Sequence, residues 1–98
     1  NFKLYEKINP DIIIFSDISW YILPELKKFL KWFKRISKKT YLIHSLAIYE
    51  KNVQSYGKDY FYDMQTIKNF FNLKFLSQVE TKNLDNDWHT IFLASNKK

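Results

Sequence analysis

The distribution of apolar and polar residues predicts a strand, a helix and a second strand in the first half of the chain. Apolar β-branched and aromatic residues run without interruption over Ile12–Phe15, which is typical of a strand buried on both faces. Apolar residues then recur every three or four positions from Leu26 to Ile36, which predicts an amphipathic helix that starts at Pro24. Thr40–Ala47 predicts the second strand. Such a unit has parallel strands and a right-handed crossover.

The second half of the chain predicts a helix followed by a hairpin. Asp63 is a good N-cap, and apolar residues recur at helical spacing over Met64–Asn72, which predicts a helix. Two strand-like stretches follow, Leu73–Lys82 and Trp88–Ser95, and a short polar turn separates them. Because strands joined by such a turn pair with each other, we expect an antiparallel hairpin that closes the chain.

A segment without clean periodicity, Ile48–Tyr62, separates the two halves. It contains several tyrosines, among them Tyr49, Tyr56 and Tyr60. A loop of this length is usually functional or mobile. Since it leaves the carboxyl end of the second predicted strand, we interpret it as a lid with aromatic walls. The alternative is that its aromatic side chains pack the loop onto the domain.

Composition indicates one folded domain over residues 1–98. The chain is 46% hydrophobic and 19% aromatic, which is typical of a folded rather than a disordered chain. It has no Cys, which excludes disulfides and Cys-based zinc sites and agrees with a reducing, cytoplasmic location. No apolar run approaches the length of a membrane span, so we expect no membrane partner.

The net charge of +6 comes almost entirely from lysines, since Arg35 is the only arginine. The predicted first helix carries a row of lysines on one face, namely Lys27, Lys31, Lys34 and Lys38. A solvated surface is the ordinary interpretation of such a row. The alternative is a groove for RNA or phosphate, which a row of lysines alone indicates only weakly.

The first polar residues after the predicted first strand are Ser16 and Asp17. In open α/β sheets, ligands bind beyond the carboxyl ends of the strands, so these residues are the first candidates for chemistry. His44 in the second strand is a candidate base, although a histidine on a strand more often makes a structural hydrogen bond. His44 and His89, without Cys or a nearby carboxylate pattern, do not predict a metal site.

The order of these elements resembles the carboxyl-terminal half of class I S-adenosylmethionine-dependent methyltransferases. The family's fourth strand, the loop after it and the next helix resemble DIIIFSDISWYI and PELKKFLKWFKRIS. Its fifth strand resembles KKTYLIHSLA, the connection and helix before its hairpin resemble YGKDYFYDMQTIKNFF, and its last two strands resemble LKFLSQVE and WHTIFLAS. The resemblance covers nearly all of the chain. It implies a partial Rossmann-like three-layer sheet in which the final strand lies antiparallel between its neighbours.

The resemblance also implies a site and a reaction, the transfer of a methyl group from S-adenosylmethionine. Ser16, Asp17 and Ile18 match positions that line the methionine end of the cofactor. Asp17 would orient the acceptor or take its proton, and His44 is the second catalytic candidate. Aromatic residues that would contact a small or sugar-like acceptor are Trp20, Tyr21, Tyr49, Tyr56 and Tyr60.

The glycine-rich turn that the family uses to hold its cofactor is missing, because Gly57 is the only glycine. The chain also begins at Asn1 rather than Met. We therefore expect a carboxyl-terminal fragment of a longer methyltransferase domain, inactive alone and with little affinity for S-adenosylmethionine. The strand over Asp11–Ser16 would then be an uncovered edge, and we expect the fragment to self-associate through it.

Two other functions fit the sequence. The chain could be a non-catalytic α/β module that binds a partner, or an RNA-binding domain that uses the lysine row. A glycine-rich strand–turn–helix upstream would favour the methyltransferase, and a steep salt dependence of RNA binding would favour the last.

Overall fold

A mixed four-stranded sheet organises the chain in the computed structural model, which describes residues 2–36, 40–49, 60–82 and 87–96. Its strands are β1 (Ile12–Ser16), β2 (Tyr41–Tyr49), β3 (Lys74–Lys82) and β4 (Asp87–Ser95). The helices are α1 (Phe2–Ile8), α2 (Leu23–Arg35) and α3 (Met64–Phe71), with a short 3-10 helix at Ser19–Tyr21. None of the helices in the described ranges is long and apolar enough to cross a membrane.

The strands lie in the order β1-β2-β4-β3. β1 and β2 are parallel, and α2 connects them. β4 is antiparallel to both of its neighbours, β2 and β3. The predicted parallel pair and the predicted antiparallel hairpin are therefore confirmed, and the chain is a mixed α/β fold. A register shift between Phe75 and Ser77 marks an irregularity in β3.

Helices α2 and α3 both pack on the same face of the sheet. In α2, the ring of Phe29 lies 4.6 Å, between centroids, from that of Phe15 in β1. In α3, the ring of Phe71 lies 4.7 Å from that of His44 in β2 and 5.1 Å from that of Phe92 in β4. The core of the domain therefore lies between one sheet face and these two helices.

Local sequence explains where the two core helices begin and end. Pro24 lies in the first turn of α2, and Glu25 suits the positive end of the helix dipole. Asp63 caps α3 as predicted, since its carboxylate accepts a hydrogen bond from the backbone N–H of Thr66 at 2.8 Å. Asn72 ends α3 in a left-handed conformation, which asparagine tolerates better than most residues.

The prediction that the first strand is buried on both faces is wrong. Ile13 and Phe15 face the core, but Ile12 and Ile14 remain 51% and 65% exposed. The expected third layer is also not seen in the described residues. Glu6 of α1 contacts Trp32 of α2, so α1 adds to the layer that is already there. An unbroken apolar run cannot distinguish a strand that is covered on both faces from one that is exposed on its second face.

Candidate functional site

The candidate site lies at the carboxyl ends of β1 and β2. These strands are parallel, so they end at the same edge of the sheet. β1 ends at Ser16, which is paired with Ser45, and β2 continues to Tyr49. The chain leaves β1 through Asp17 and Ile18 and enters the 3-10 helix. The structure therefore brings Ser16, Asp17 and Ile18 to one edge, where the polar residues after the first strand were expected to be.

Asp17 forms the turn that ends β1. Its φ of 55° is in the left-handed region, which aspartate tolerates better than most residues. Its backbone N–H donates to the carbonyl of Ser45 at 2.8 Å. The carboxylate oxygen Oδ1 accepts from the N–H of Ala47 at 3.0 Å, a role that a main-chain carbonyl would have if β1 continued. The side chain is nevertheless exposed, so a ligand can reach it.

Trp20 forms a fixed, half-buried wall beside this turn. Its indole Nε1–H donates to the carbonyl of Ala47 at 2.6 Å. Its ring meets that of Phe61 edge to face, with centroids 5.6 Å apart. Trp20 therefore ties the 3-10 helix to β2 and to the segment before α3. Tyr21 follows it and is 84% exposed.

The other predicted aromatic residues lie around the same edge. Tyr49, the last residue of β2, is exposed. Tyr60 contacts the rings of Phe61 and Phe70 at 6.1 and 5.9 Å between centroids. A chain of rings therefore runs from Trp20 through Phe61 to Tyr60. Tyr56 and most of the predicted lid fall outside the described residues.

His44 lies in the core, away from the exposed edge. It is fully buried between the rings of Phe71 and Phe92, whose centroids are 4.7 and 4.8 Å away. Burial lowers the pKa of His44 from 6.5 to about 3, so the ring is neutral at physiological pH. Its Nε2 lies 2.7 Å from the hydroxyl of Ser19, which is also buried. This geometry favours a structural role, and catalysis by His44 stays a prediction.

Sequence reasoning missed several contributors to the site. Ala47 provides both the N–H that holds Asp17 and the carbonyl that holds Trp20. Phe61 is fully buried and supports Trp20. The pairing of Ser19 with His44 spans twenty-five residues. The contacts of Ala47 use main-chain groups, and the other contacts join side chains that are far apart in the sequence, so no local motif predicts them.

A groove of about 590 Å³ runs along the free edge of β1 next to the site. Its lining is mainly apolar and includes Pro10, Ile12, Ile14, Ile18 and Phe29. Ile18 therefore borders both this groove and the turn at Asp17. In the described part of the chain, β1 pairs on one side only, so the edge position predicted for Asp11–Ser16 is confirmed. Self-association through that edge stays a prediction.

The lysine row on α2 shows no built anion site. Lys27 and Lys31 are exposed, and Lys38 lies outside the described residues. Acidic residues are interspersed with the basic ones: Glu25 lies 3.4 Å from Lys28, and Glu6 lies 3.7 Å from Arg35. The basic surface is therefore partly compensated.

The candidate site is therefore defined by the fold and by the side chains at this edge of the sheet. Comparisons of the chain with protein-family models, with curated proteins and with solved structures found no match.

Proposed function

We propose that this chain is the substrate-side half of an S-adenosylmethionine-dependent methyltransferase that acts on a small or sugar-like acceptor. One observation carries the proposal: the last strand, β4, lies antiparallel between β2 and β3. Strands that follow each other in the chain are usually neighbours in the sheet, so this insertion is a distinctive arrangement. It is the arrangement that the sequence resemblance implies for the last four strands of that family.

The residues at the sheet edge fit one wall of a cofactor site. The exposed carboxylate of Asp17 and the hydroxyl of Ser16 can accept hydrogen bonds from amino or hydroxyl groups. Ile18 offers an apolar contact beside them. Aromatic rings such as that of Trp20 attract cations, and the sulfonium of S-adenosylmethionine is one. The glycine-rich wall is not in this chain, so these residues provide only part of the site.

When bound, S-adenosylmethionine supplies an electrophilic methyl group. The residues of this chain then have two tasks. Trp20, held by Ala47 and Phe61, fixes the wall against which the acceptor is positioned, and such positioning accounts for much of the acceleration in a displacement reaction. Asp17 orients the acceptor and, where the nucleophile is weakly acidic, accepts its proton. Its hydrogen bond from Ala47 holds the carboxylate in place for this role.

The test is binding of S-adenosylmethionine, measured by titration calorimetry. It uses both this 98-residue chain and the protein as its own cell makes it, whose length intact mass establishes. We expect the native protein to bind and the 98-residue chain to bind weakly or not at all. If the native protein binds neither S-adenosylmethionine nor S-adenosylhomocysteine, the proposed function is wrong.

A matched pair of variants tests the role of Asp17. Asp17→Asn keeps an oxygen for the N–H of Ala47 but removes the charge. Asp63→Asn makes the same change at a carboxylate that also accepts a backbone hydrogen bond, at the start of α3. We expect methyl transfer to fall at least tenfold in Asp17→Asn and to stay unchanged in Asp63→Asn. Equal activity of both variants would exclude Asp17 from the mechanism while leaving the binding result intact.

A further inference from the structure

The sheet has an open face, opposite α2 and α3. We define it by six exposed or half-buried side chains: Ile12 and Ile14 of β1, Ile43 of β2, Val79 of β3, and Ile91 and Leu93 of β4. The strand registers place these side chains on the same side. Ile14, Val79 and Ile91 are 65%, 57% and 45% exposed, so the apolar surface extends across all four strands.

The open face carries no Lys, Arg, Asp or Glu over residues 12–16, 41–49, 77–82 and 88–93, as the strand registers show, and Lys74 lies on the same side only at the end of β3. This is unusual in a chain with 27% charged residues. Two polar side chains near its middle satisfy each other, since the Ser45 hydroxyl lies 2.9 Å from Nε2 of His89. A shallow depression of about 330 Å³, bordered by Ile43, Val79 and Ile91, lies in this surface. Apolar surfaces of this extent usually mark an interaction site.

We propose that the open face binds the open face of a second copy of this chain, in a two-fold symmetric dimer. Charge complementarity favours a second copy as the partner. A partner must be uncharged over the same area, because an unpaired charge buried in the interface would cost several kcal/mol. The exposed side of α2 does not meet this requirement, since it carries Lys27, Lys28 and Lys31. The open face of a second copy does meet it.

Net charge favours the same arrangement. Each copy carries +6, so two copies repel wherever their charged surfaces meet. Face-to-face packing of the two sheets places the lysines of both α2 helices on the outer sides of the dimer. Two stacked sheets are about 10 Å apart, and their side chains interdigitate. The contact therefore brings apolar groups together while it keeps the charges apart.

The area of the open face corresponds to a small interface, of the size found in weak complexes. Four strands about 4.8 Å apart, with a mean length of about eight residues at about 3.3 Å per residue, cover about 500 Å² on each copy. The dimer then buries about 1,000 Å² in total, which is at the lower limit for a specific interface. We therefore expect a dissociation constant in the micromolar range.

Sedimentation equilibrium over a range of concentrations tests the dimer. The wild-type chain should dimerise, and Ile91→Lys and Val79→Lys should each weaken the dimer at least 100-fold, because two-fold symmetry introduces each charge twice. Leu4→Lys is the matched control, since Leu4 is 53% exposed but lies on α1; it should leave dimerisation unchanged. Circular dichroism checks that each variant is folded.

Cysteine labelling provides a second measurement that introduces no charge. The chain has no native Cys, so Val79→Cys and Leu4→Cys each carry a single thiol. Maleimide should label Val79→Cys more slowly at concentrations where the dimer forms than after dilution, whereas Leu4→Cys should react equally at both.

Four results would overturn the proposal. One is a monomer at several hundred micromolar, and another is equal labelling of Val79→Cys at all concentrations. The third is a dimer that persists in both lysine variants, which would assign self-association to the free edge of β1 instead. A longer native protein that is monomeric and protects Val79→Cys would also overturn it, because its additional residues would then be the occupant. None of these outcomes depends on methyl transfer.

Discussion

The hydroxyl oxygen of Ser19 lies 2.7 Å from Nε2 of His44, and both side chains are fully buried. The other ring nitrogen, Nδ1, has no hydrogen-bond partner in the described part of the chain. An unpaired buried N–H is rarer in proteins than an acceptor with an unused lone pair. We therefore assign the proton of the neutral ring to Nε2, which donates it to Ser19. This bond fixes the 3-10 helix against β2, directly beside the candidate site.

Replacing Ser19 with alanine should lower the free energy of unfolding by about 1–3 kcal/mol, because it leaves a buried donor on His44 without a partner. Ser45→Ala is the matched control. It removes the hydroxyl that pairs with His89 at 2.9 Å in a part-buried position, where water can replace it in the monomer. Urea unfolding at neutral pH measures both. Equal losses would contradict the assignment of a buried, donating Nε2–H.

The burial of His44 should make stability depend on pH. Burial lowers its pKa from 6.5 to about 3, so the folded ring stays neutral while the unfolded chain takes up a proton below about pH 6.5. Stability from this group is fully present above that pH. It falls as the pH decreases towards 3, by up to about 1.4 kcal/mol per pH unit. In the described part of the chain, the ring contacts Phe15, Phe71, Phe92 and Ser19, and none of these four is charged.

Urea unfolding of the wild type and of His44→Leu, at several values between about pH 7 and pH 5, isolates this effect. Other groups titrate in both proteins, so the difference between the two curves reports His44. We expect the variant to lose less stability than the wild type as the pH falls. His44→Gln is the second variant, in case leucine prevents folding. Parallel curves for the wild type and a folded variant would show that folding does not lower the pKa of His44.

The order of strands and helices followed from hydrophobic periodicity and turn residues, and it could be predicted from the sequence. Asp63 is an example, because its capping role depends on neighbours three residues away. The exposure of Ile12 and Ile14 could not be predicted, because an apolar strand has the same sequence whether its second face is covered by its own chain or by another one. The burial of His44 could not be predicted from the sequence either, since it depends on the rings of Phe71 and Phe92, which are far away in the sequence.

The position of Asp17 was predicted, but its hydrogen bond was not. A polar residue after an apolar strand indicates a sheet edge, which is a local pattern. The acceptance of the Ala47 N–H depends on the register of two strands separated by a helix. That register is fixed by packing over the whole β-α-β unit. A local sequence pattern therefore does not predict it.

Asp17 should also contribute to stability independently of any reaction. Asp17→Ala removes the acceptor for the Ala47 N–H and places a residue that disfavours positive φ at 55°. We expect a loss of about 1–2 kcal/mol in the free energy of unfolding. Asp17→Asn should lose less than about 0.5 kcal/mol, since it retains an oxygen and tolerates this backbone conformation. Thermal unfolding distinguishes them, and an equally large loss in both variants would mean that the charge, rather than the cap, is what stabilises the turn.

Trp20 and Trp32 make comparable hydrogen bonds in different parts of the fold. Comparing variants of the two residues tests whether Trp20 positions the site. Trp20 donates to the carbonyl of Ala47 at 2.6 Å, and Trp32 donates to Glu6 at 2.9 Å between α1 and α2. Replacing either with phenylalanine removes the donor and keeps an aromatic ring. We expect each change to lower the free energy of unfolding by about 1–2 kcal/mol.

Their effects on function should differ. Under the proposed function, Trp20→Phe should weaken binding of S-adenosylmethionine by the native protein several-fold in calorimetry, because Trp20 is tied to the same residue as Asp17. Trp32→Phe should leave binding unchanged, since the Trp32 hydrogen bond joins α2 to α1 and does not involve the residues of the site. If both variants bind as the wild type does, Trp20 is a structural residue only. If both variants lose binding in proportion to their loss of stability, the loss of binding results from unfolding and not from a change in the site.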